Sequence, residues 1–181
     1  MGKIYIKYIK RIFDIFISIY ILILTSPILI FALIALMISN KSINVLFFQL
    51  RPGLNERIFK LVKIKTMNDK VDHNGKLLSD EQRITNVGKI LRKYSIDELP
   101  QLWNVLIGEM SLVGPRPERK YYIDQIVQQH PEYKYLLKVK PGLTSWGMVK
   151  FGYASSVPEM IERMTFDLMY IENVSIALDL K

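Results

Sequence analysis

The longest apolar stretch of the chain lies near its N-terminus. No residue between Ile15 and Ile38 is charged, and a helix of about 24 residues is about 36 Å long, enough to cross the hydrocarbon core of a bilayer. Ser26-Pro27 falls near the middle of this stretch, where proline removes a backbone hydrogen bond and kinks a helix. The hydroxyls of Thr25 and Ser26 can satisfy the carbonyl groups that the proline frees. The pattern predicts a membrane helix that bends at Ser26-Pro27.

Basic residues flank this stretch on both sides. They are Lys3, Lys7, Lys10 and Arg11 before it, and Lys41, Arg51, Arg57, Lys60 and Lys63 after it. Such residues favour the cytoplasmic side of a membrane. Two arrangements follow: a helix that spans the bilayer, and a re-entrant helix that enters one leaflet, bends at Pro27 and returns. The residues alone leave both open, and both place the protein at a membrane.

The rest of the chain has the pattern of an ordinary globular domain. Two apolar runs around turn residues 51–55 predict a β-hairpin between Val45 and Met67. Apolar residues at helical spacing predict short helices in segments 86–94, 99–109, 118–130 and 157–174. We therefore expect a predominantly helical α+β fold, in which residues 1–40 form the membrane helix. Residues 41–181 are expected to form one compact domain that makes a single structural unit with it.

Composition narrows the possible functions. A formal charge of +8 suits an anionic membrane surface, a phosphate-rich substrate or nucleic acid. The basic residues are scattered without a basic run, so nucleic acid is not expected as a partner. The lack of cysteine excludes disulfides and thiolate metal sites. Zinc-ligand spacing and the motifs of serine hydrolases and P-loop NTPases are also missing from the sequence.

Two adjacent acids, Asp97 and Glu98, stand just before Pro100. One interpretation is a capping box, in which Ser95 and Glu98 cap the start of a helix. The other interpretation begins the helix at Pro100, because proline suits a first helical position. Both acids then lie on an exposed turn beside free backbone amides, which attract phosphate, and a metal ion could bridge the two kinds of anion.

The segment Gly114-Pro115-Arg116-Pro117 holds one arginine between two prolines. Proline fixes φ, so the loop is stiff and the guanidinium is aimed, which suits recognition of a phosphate or a carboxylate. The alternative is a surface turn that carries a solvated charge.

Four long segments, taken in order, closely resemble one family, the bacterial sugar transferases or monotopic phosphoglycosyl transferases. They are the apolar helix with its central Ser-Pro, RPGLNERIFKLVKIKTM (51–67), LRKYSIDELPQLWNVLIGEMSLVGPRPE (91–118) and VKPGLTSWGMVK (139–150). The resemblance extends from about Ile9 to Lys181. It implies transfer of a sugar-1-phosphate from a UDP-sugar to undecaprenyl phosphate with release of UMP. This reaction is the first membrane step of surface-glycan synthesis, for example of exopolysaccharide, capsule or O-antigen.

The resemblance also implies roles for particular residues. Asp97 is the implied nucleophile, which forms a covalent aspartyl phospho-sugar intermediate, and it is the implied ligand of Mg²⁺. Glu98 completes an Asp-Glu dyad. Lys63 and Asp179 match positions that the family needs for activity. The cationic positions near the substrate phosphates match Arg92 and Arg116.

For the membrane part, the resemblance implies the re-entrant helix broken at Ser26-Pro27. The catalytic domain would then lie on the cytoplasmic face of the bacterial inner membrane. The implied partners are a UDP-sugar, undecaprenyl phosphate and the lipid bilayer, with a homo-oligomer left open. Larger members carry extra membrane helices, which this sequence lacks, although its C-terminal part looks like their catalytic part. We expect either a minimal member or a shortened form of a longer one.

Two other hypotheses compete with this one. The first is a membrane-anchored basic module without activity, in which the acid pair only caps a helix. The second is a metal-dependent glycosyltransferase that cleaves the sugar–phosphate bond and releases UDP. Replacement of Asp97 by asparagine tests the first hypothesis, and the identity of the released nucleotide tests the second.

Overall fold

The computed structural model of the chain describes residues 5–40 and 42–181, apart from the side chains of residues 6 and 7. A π-helical turn (Tyr5–Ile9) leads into the long helix α1 (Lys10–Asn40). An antiparallel hairpin of β1 (Leu46–Pro52) and β2 (Ile58–Ile64) follows. The predicted flanking residues Lys3 and Lys41, and the side chain of Lys7, lie outside this description.

Short helices make up most of the remaining chain. They are α2 (Asp80–Arg83), α3 (Asn86–Lys93), α4 (Gln101–Ile107), α5 (Lys120–Gln129), α6 (Trp146–Lys150), α7 (Val157–Glu172) and α8 (Ile176–Asp179), with 3₁₀ segments at Leu54–Glu56, Ile96–Glu98 and Pro131–Lys138. Two three-residue strands, β3 (Ser111–Val113) and β4 (Gly142–Thr144), pair in parallel. The prediction of a mainly helical α+β fold with a small hairpin is confirmed.

Helix α1 continues through Pro27 because a neighbouring hydroxyl takes the place of the missing N–H. The Ser26 hydroxyl donates to the carbonyl of Ile23 at 2.8 Å, the acceptor that an amide at position 27 would use. The Thr25 hydroxyl donates to the carbonyl of Ile21 at 2.7 Å. The predicted role of Ser26 is thus confirmed, whereas the Ile21 carbonyl bonded by Thr25 is not one that Pro27 frees. Helical structure is retained on both sides of Ser26-Pro27.

Both ends of α1 are buried against the same folded body, whereas its middle is not. Near the N-terminal end, the buried Asp14 carboxylate accepts hydrogen bonds from the Ser111 hydroxyl at 2.8 Å and the Leu112 amide at 3.0 Å. Near the C-terminal end, the fully buried Leu36 packs in an apolar cluster with Ile64 of β2. Between positions 19 and 31 no side chain is buried. The apolar middle of α1 is therefore not covered by the rest of the described chain.

Arg11 provides a further fixed contact at the N-terminal end of α1. Its guanidinium donates to the carbonyls of Val105 at 2.5 Å and Leu106 at 2.7 Å. These carbonyls belong to the last turn of α4, where backbone acceptors lack helical partners and a positive charge is favoured by the helix dipole. The contact fixes α4 against the start of the apolar helix.

The hairpin is held against α4 by one buried amide side chain. Asn104, 1% exposed, donates to the carbonyl of Lys60 at 2.8 Å and accepts from the amide of Val62 at 3.1 Å. An asparagine side chain can act as donor and acceptor at once, so it extends the hydrogen-bond ladder of β2 sideways. This contact places β2, and with it Lys63, beside the segment that carries Asp97 and Glu98.

Candidate active site

A cavity of about 780 Å³ lies between the hairpin, α3 and the loops that carry residues 97 and 116. Its basic lining residues are Arg51, Lys63, Lys65, Arg83, Arg92, Arg116 and Arg119. Its acidic lining residues are Asp69, Asp97 and Glu98. The excess of positive charge favours an anionic ligand.

Asp97 and Glu98 belong to the 3₁₀ turn Ile96–Glu98 at the floor of this cavity. Ser95 takes a left-handed conformation with φ 54° and makes no side-chain capping bond, so the capping-box interpretation is wrong. Helix α4 begins directly after Pro100, as the other interpretation predicts. The expectation of an exposed turn is also wrong: Asp97 is 8% and Glu98 9% exposed, because both acids lie beneath the end of β2.

Glu98 is paired with two cations from distant parts of the chain. Its Oε1 lies 2.7 Å from Lys63 Nζ on β2 and 3.1 Å from Arg116 Nη2. Burial by itself raises the pKa of this carboxyl, but the charges of Arg116 and Lys63 outweigh burial and hold the pKa below its ordinary value. Glu98 is therefore ionised at neutral pH and keeps both cations in place.

The Asp97 carboxylate, by contrast, makes no hydrogen bond or ion pair with any other residue in the described part of the chain, and only its own backbone amide is close enough to donate to it. Burial raises the pKa of its carboxyl, with Lys63 opposing the effect and the charge of Glu98 adding to it. A carboxylate that is poorly solvated, near positive charge and open to a cavity is a candidate functional group. The two neighbouring acids thus have opposite environments.

Arg116 projects into the cavity from between its two prolines, with 17% of its side chain exposed. Besides Glu98 it contacts Met148 Sδ at 2.8 Å, and its guanidinium lies 5.1 Å from the centre of the Tyr153 ring. The alternative of a solvated surface turn is therefore excluded. Its predicted role in phosphate binding stays a prediction.

Arg92 reaches the cavity from α3 and is fixed by a hydrogen bond from its Nε to Thr66 Oγ1 at 2.8 Å. Helix α3 can approach Thr66 closely because Gly88 stands at the contact. A Cβ added there would lie 2.1 Å from the Thr66 carbonyl oxygen. Glycine at this position thus determines where Arg92 is held.

Replacement of Gly88 by alanine is expected to destabilise the fold by about 1–3 kcal/mol, because the added methyl group must push α3 away from backbone atoms. Thermal unfolding of the purified protein measures the effect. Lys89→Ala, at an exposed position on the same helix, is the matched control and is expected to change stability by less than about 0.5 kcal/mol. Equal stability of the two variants would contradict the close packing described for Gly88.

Several lining residues were not singled out as site residues by the sequence, notably Arg51, Arg83, Arg119 and Tyr153. Arg51 donates to the carbonyl of Pro117 at 2.9 Å, and burial lowers its pKa to about 10. The sequence could have indicated Arg51 as a site residue, because it directly precedes the Pro52-Gly53 turn. That turn lies at the end of the hairpin that contacts the loop carrying Arg116.

Asp179 is not brought to this cavity. Its carboxylate accepts hydrogen bonds from the hydroxyls of Tyr5 and Tyr170, each at 2.6 Å, and pairs with Lys10. It therefore ties helix α8 to the start of the apolar helix. These contacts are structural, and the predicted role of Asp179 in activity stays a prediction. Ser26 and Pro27 likewise lie in α1 and do not line the cavity.

The Asp97 carboxylate fits a magnesium site in which the substrate supplies the other ligands. The described residues contain no group of three or more ligating side chains that could hold a metal alone. Magnesium is commonly held by one or two carboxylates together with substrate phosphates and water. The unpaired Asp97 carboxylate supplies such a ligand at the cavity floor.

Comparison with known proteins relates the whole described fold to one family. A family model described as bacterial sugar transferase matches residues 5–181. An uncharacterized sugar transferase, EpsL, of Bacillus subtilis is 42% identical over 173 residues, covering 96% of this chain and 82% of that protein.

Two longer relatives have more specific names. A UDP-glucose:undecaprenyl-phosphate glucose-1-phosphate transferase of Klebsiella pneumoniae is 40% identical, over 95% of this chain and 38% of that protein. A UDP-N-acetylgalactosamine-undecaprenyl-phosphate N-acetylgalactosaminephosphotransferase of Aeromonas hydrophila is 36% identical, over 95% of this chain and 41% of that protein. The chain thus spans about two fifths of the length of these two relatives.

Proposed function

Since the chain belongs to the bacterial sugar transferase family, we propose that it transfers a sugar-1-phosphate from a UDP-sugar to undecaprenyl phosphate. The names of relatives support both substrates. One observation carries the proposal: an unpaired carboxylate, Asp97, lies at the floor of a basic cavity beside Lys63, Arg92 and Arg116. A diphosphate substrate needs such positive charge, because negative charge develops on its oxygens during transfer.

Asp97 acts as the nucleophile of the first step. One of its carboxylate oxygens forms a bond to the phosphorus that carries the sugar. The bond from this phosphorus to the bridging oxygen of the diphosphate breaks, and UMP leaves with that oxygen. Covalent catalysis of this kind divides one difficult displacement into two easier ones and gives ping-pong kinetics.

In the second step, a phosphate oxygen of undecaprenyl phosphate attacks the same phosphorus. The bond to Asp97 breaks and the free carboxylate is restored, while the lipid now carries a diphosphate linked to the sugar. Nucleophiles and leaving groups are anions in both steps, so neither step requires a proton. This is consistent with a site in which the second acid, Glu98, is held ionised by Lys63 and Arg116.

The remaining site residues position charge. Glu98 orients Lys63 and Arg116, and Arg92 is fixed by Thr66. A magnesium ion held by Asp97, when bound, would neutralise substrate phosphate charge.

For the membrane part, we propose the re-entrant arrangement at the cytoplasmic face of the inner membrane. The support is that both ends of α1 pack on one body while its apolar middle is exposed. A helix that crosses the bilayer would place its two ends on opposite sides of the membrane. Insertion from one side keeps the cavity near the leaflet in which the acceptor phosphate lies.

The released nucleotide tests the proposed reaction. Detergent-solubilised protein with Mg²⁺, undecaprenyl phosphate and a panel of UDP-sugars is expected to release UMP with at least one donor. Chromatography that separates UMP from UDP gives the result. UDP as the product would support the glycosyltransferase hypothesis, and no nucleotide release with any donor would support the non-catalytic membrane module.

A further inference from the structure

A second cavity, of about 330 Å³, lies at the start of the apolar helix. It is enclosed by α1, the end of β3 and the segment 138–140, and it shares no lining residue with the first cavity. Its size is at the lower end of the range for small-molecule sites. None of the residues discussed for sugar-phosphate transfer lines this second cavity. Asp179 lies at its edge, where it contacts the lining residues Lys10 and Tyr170.

The lining of this second cavity is strongly basic. Lys10, Arg11, Lys138 and Lys140 contribute to it, against the single acid Asp14. Asp14 cannot serve as a close partner for all of them, because its two oxygens already accept from Ser111 and Leu112.

Lys140 is the cation left without a close partner. Lys10 pairs with Asp179, and Lys138 lies 4.8 Å from the centre of the Tyr135 ring. Lys140 makes no hydrogen bond or ion pair with residues 5–40 or 42–181. Burial lowers its pKa, and the nearby charge of Arg11 lowers it further.

Arg11 and Lys140 converge on one point of the backbone. A Cβ built at Gly108 would lie 3.4 Å from Arg11 Nη2 and 3.6 Å from Lys140 Nζ. Gly108 has φ +91°, the left-handed conformation that ends α4. Two of the five N–H donors of Arg11 are used on carbonyls of α4, so others are left for a ligand.

We propose that this second cavity binds a phosphate group between Lys140 and Arg11. Two converging cations with spare donors match the charge and the several acceptor oxygens of a phosphate. The cavity also has apolar lining residues that can contact the non-polar part of a ligand, namely Leu54, Val113, Val139 and Val174. The phosphate can belong to the head group of an anionic membrane lipid or to a soluble phosphate compound.

The ionisation of Lys140 itself provides the test. Lysines of the full-length protein in neutral detergent are reductively ¹³C-methylated, which keeps their charge, and each is titrated by NMR. The NMR signal that is missing from the Lys140→Gln variant belongs to Lys140. The signal that is missing from Lys134→Gln belongs to Lys134, an exposed lysine that serves as the control. Bound phosphate is expected to raise the pKa of Lys140, relative to that of Lys134, by about 1 unit or more.

Three probes distinguish the sources of the phosphate. Inorganic phosphate, phosphatidylglycerol and zwitterionic phosphatidylcholine are added in separate titrations at constant ionic strength. A selective shift with phosphatidylglycerol alone supports a lipid head group, whereas a shift with inorganic phosphate supports a soluble ligand. A pKa of Lys140 that moves no more than that of Lys134 with any probe overturns the proposal.

A second measurement is independent of the NMR labels. Native mass spectrometry counts the phosphatidylglycerol or phosphate molecules that wild type, Lys140→Gln and Lys134→Gln retain. At least fivefold lower retention by Lys140→Gln alone is expected, and equal retention by all three contradicts the proposal. Since the transfer reaction is not part of either readout, the outcome is independent of the proposed function.

Discussion

Asparagine in place of Asp97 is expected to reduce UMP release by at least about 1,000-fold, the scale on which enzymes lose rate when a nucleophile is removed. The amide has almost the shape of the carboxylate but cannot form the bond to phosphorus. The fold is expected to remain at least as stable, because the variant no longer buries a charge that lacks a close partner. Initial rates at saturating donor, together with thermal unfolding, measure both effects.

Asp124→Asn is the matched control for this experiment. Asp124 lies in α5 with 57% of its side chain exposed, and neither it nor its partner Lys120 lines the cavity. Its activity is expected to equal that of wild type. Retention of more than about a tenth of wild-type activity by Asp97→Asn would rule out Asp97 as the nucleophile. Mass spectrometry of wild type with donor alone should in addition find a phospho-sugar on residue 97.

The largest effect on stability is expected from Glu118→Gln. This buried carboxylate lies 2.6 Å from Arg163, 3.7 Å from Arg51 and 4.0 Å from Arg116. Removal of its charge takes away the carboxylate that pairs directly with Arg163, which is 4% exposed, and leaves it only the more distant charge of Asp167. Loss of one partner from a buried ion pair costs about 3–5 kcal/mol, so a large decrease in the melting temperature is expected.

Glu162→Gln provides the comparison, since Glu162 is exposed and directly precedes Arg163 in α7. It is expected to change the free energy of unfolding by less than about 0.5 kcal/mol. If Glu118→Gln were no more destabilising than this control, the three arginines would have to be neutralised in some other way. Activity should also fall in Glu118→Gln, because Arg116 belongs to both the ion cluster and the cavity.

The elements that sequence predicted well are those with local periodicity. The hairpin and the helices at residues 86–93, 101–107, 120–129 and 157–172 follow from apolar spacing and turn residues within each segment. The parallel pair β3–β4 was not predicted. Each strand has three residues, too few for a periodic pattern, and the partners are separated by about 30 positions in the chain.

The burial of the acid pair was the main error at the site. The local pattern of Ser95, Glu98 and Pro100 carries no information on what packs over the turn. The partners Lys63 and Arg116 come from other segments and convert a solvent-exposed pair into a buried one. The family resemblance supplied Lys63 and Arg92 as site residues, which composition and spacing alone did not identify.

The firm attachment of α1 has a consequence for the choice of lipid. Asp14, Arg11 and Leu36 fasten the helix to the body at both ends, so the two move together rather than as an anchor with a loose tether. A bilayer that is too thick or too thin is accommodated by tilting of inserted helices. Under the proposed membrane arrangement, such a tilt would rotate the mouth of the cavity relative to the head groups. If the proposed reaction also holds, the acyl-chain length of the bilayer is expected to control how often Asp97 meets the lipid acceptor.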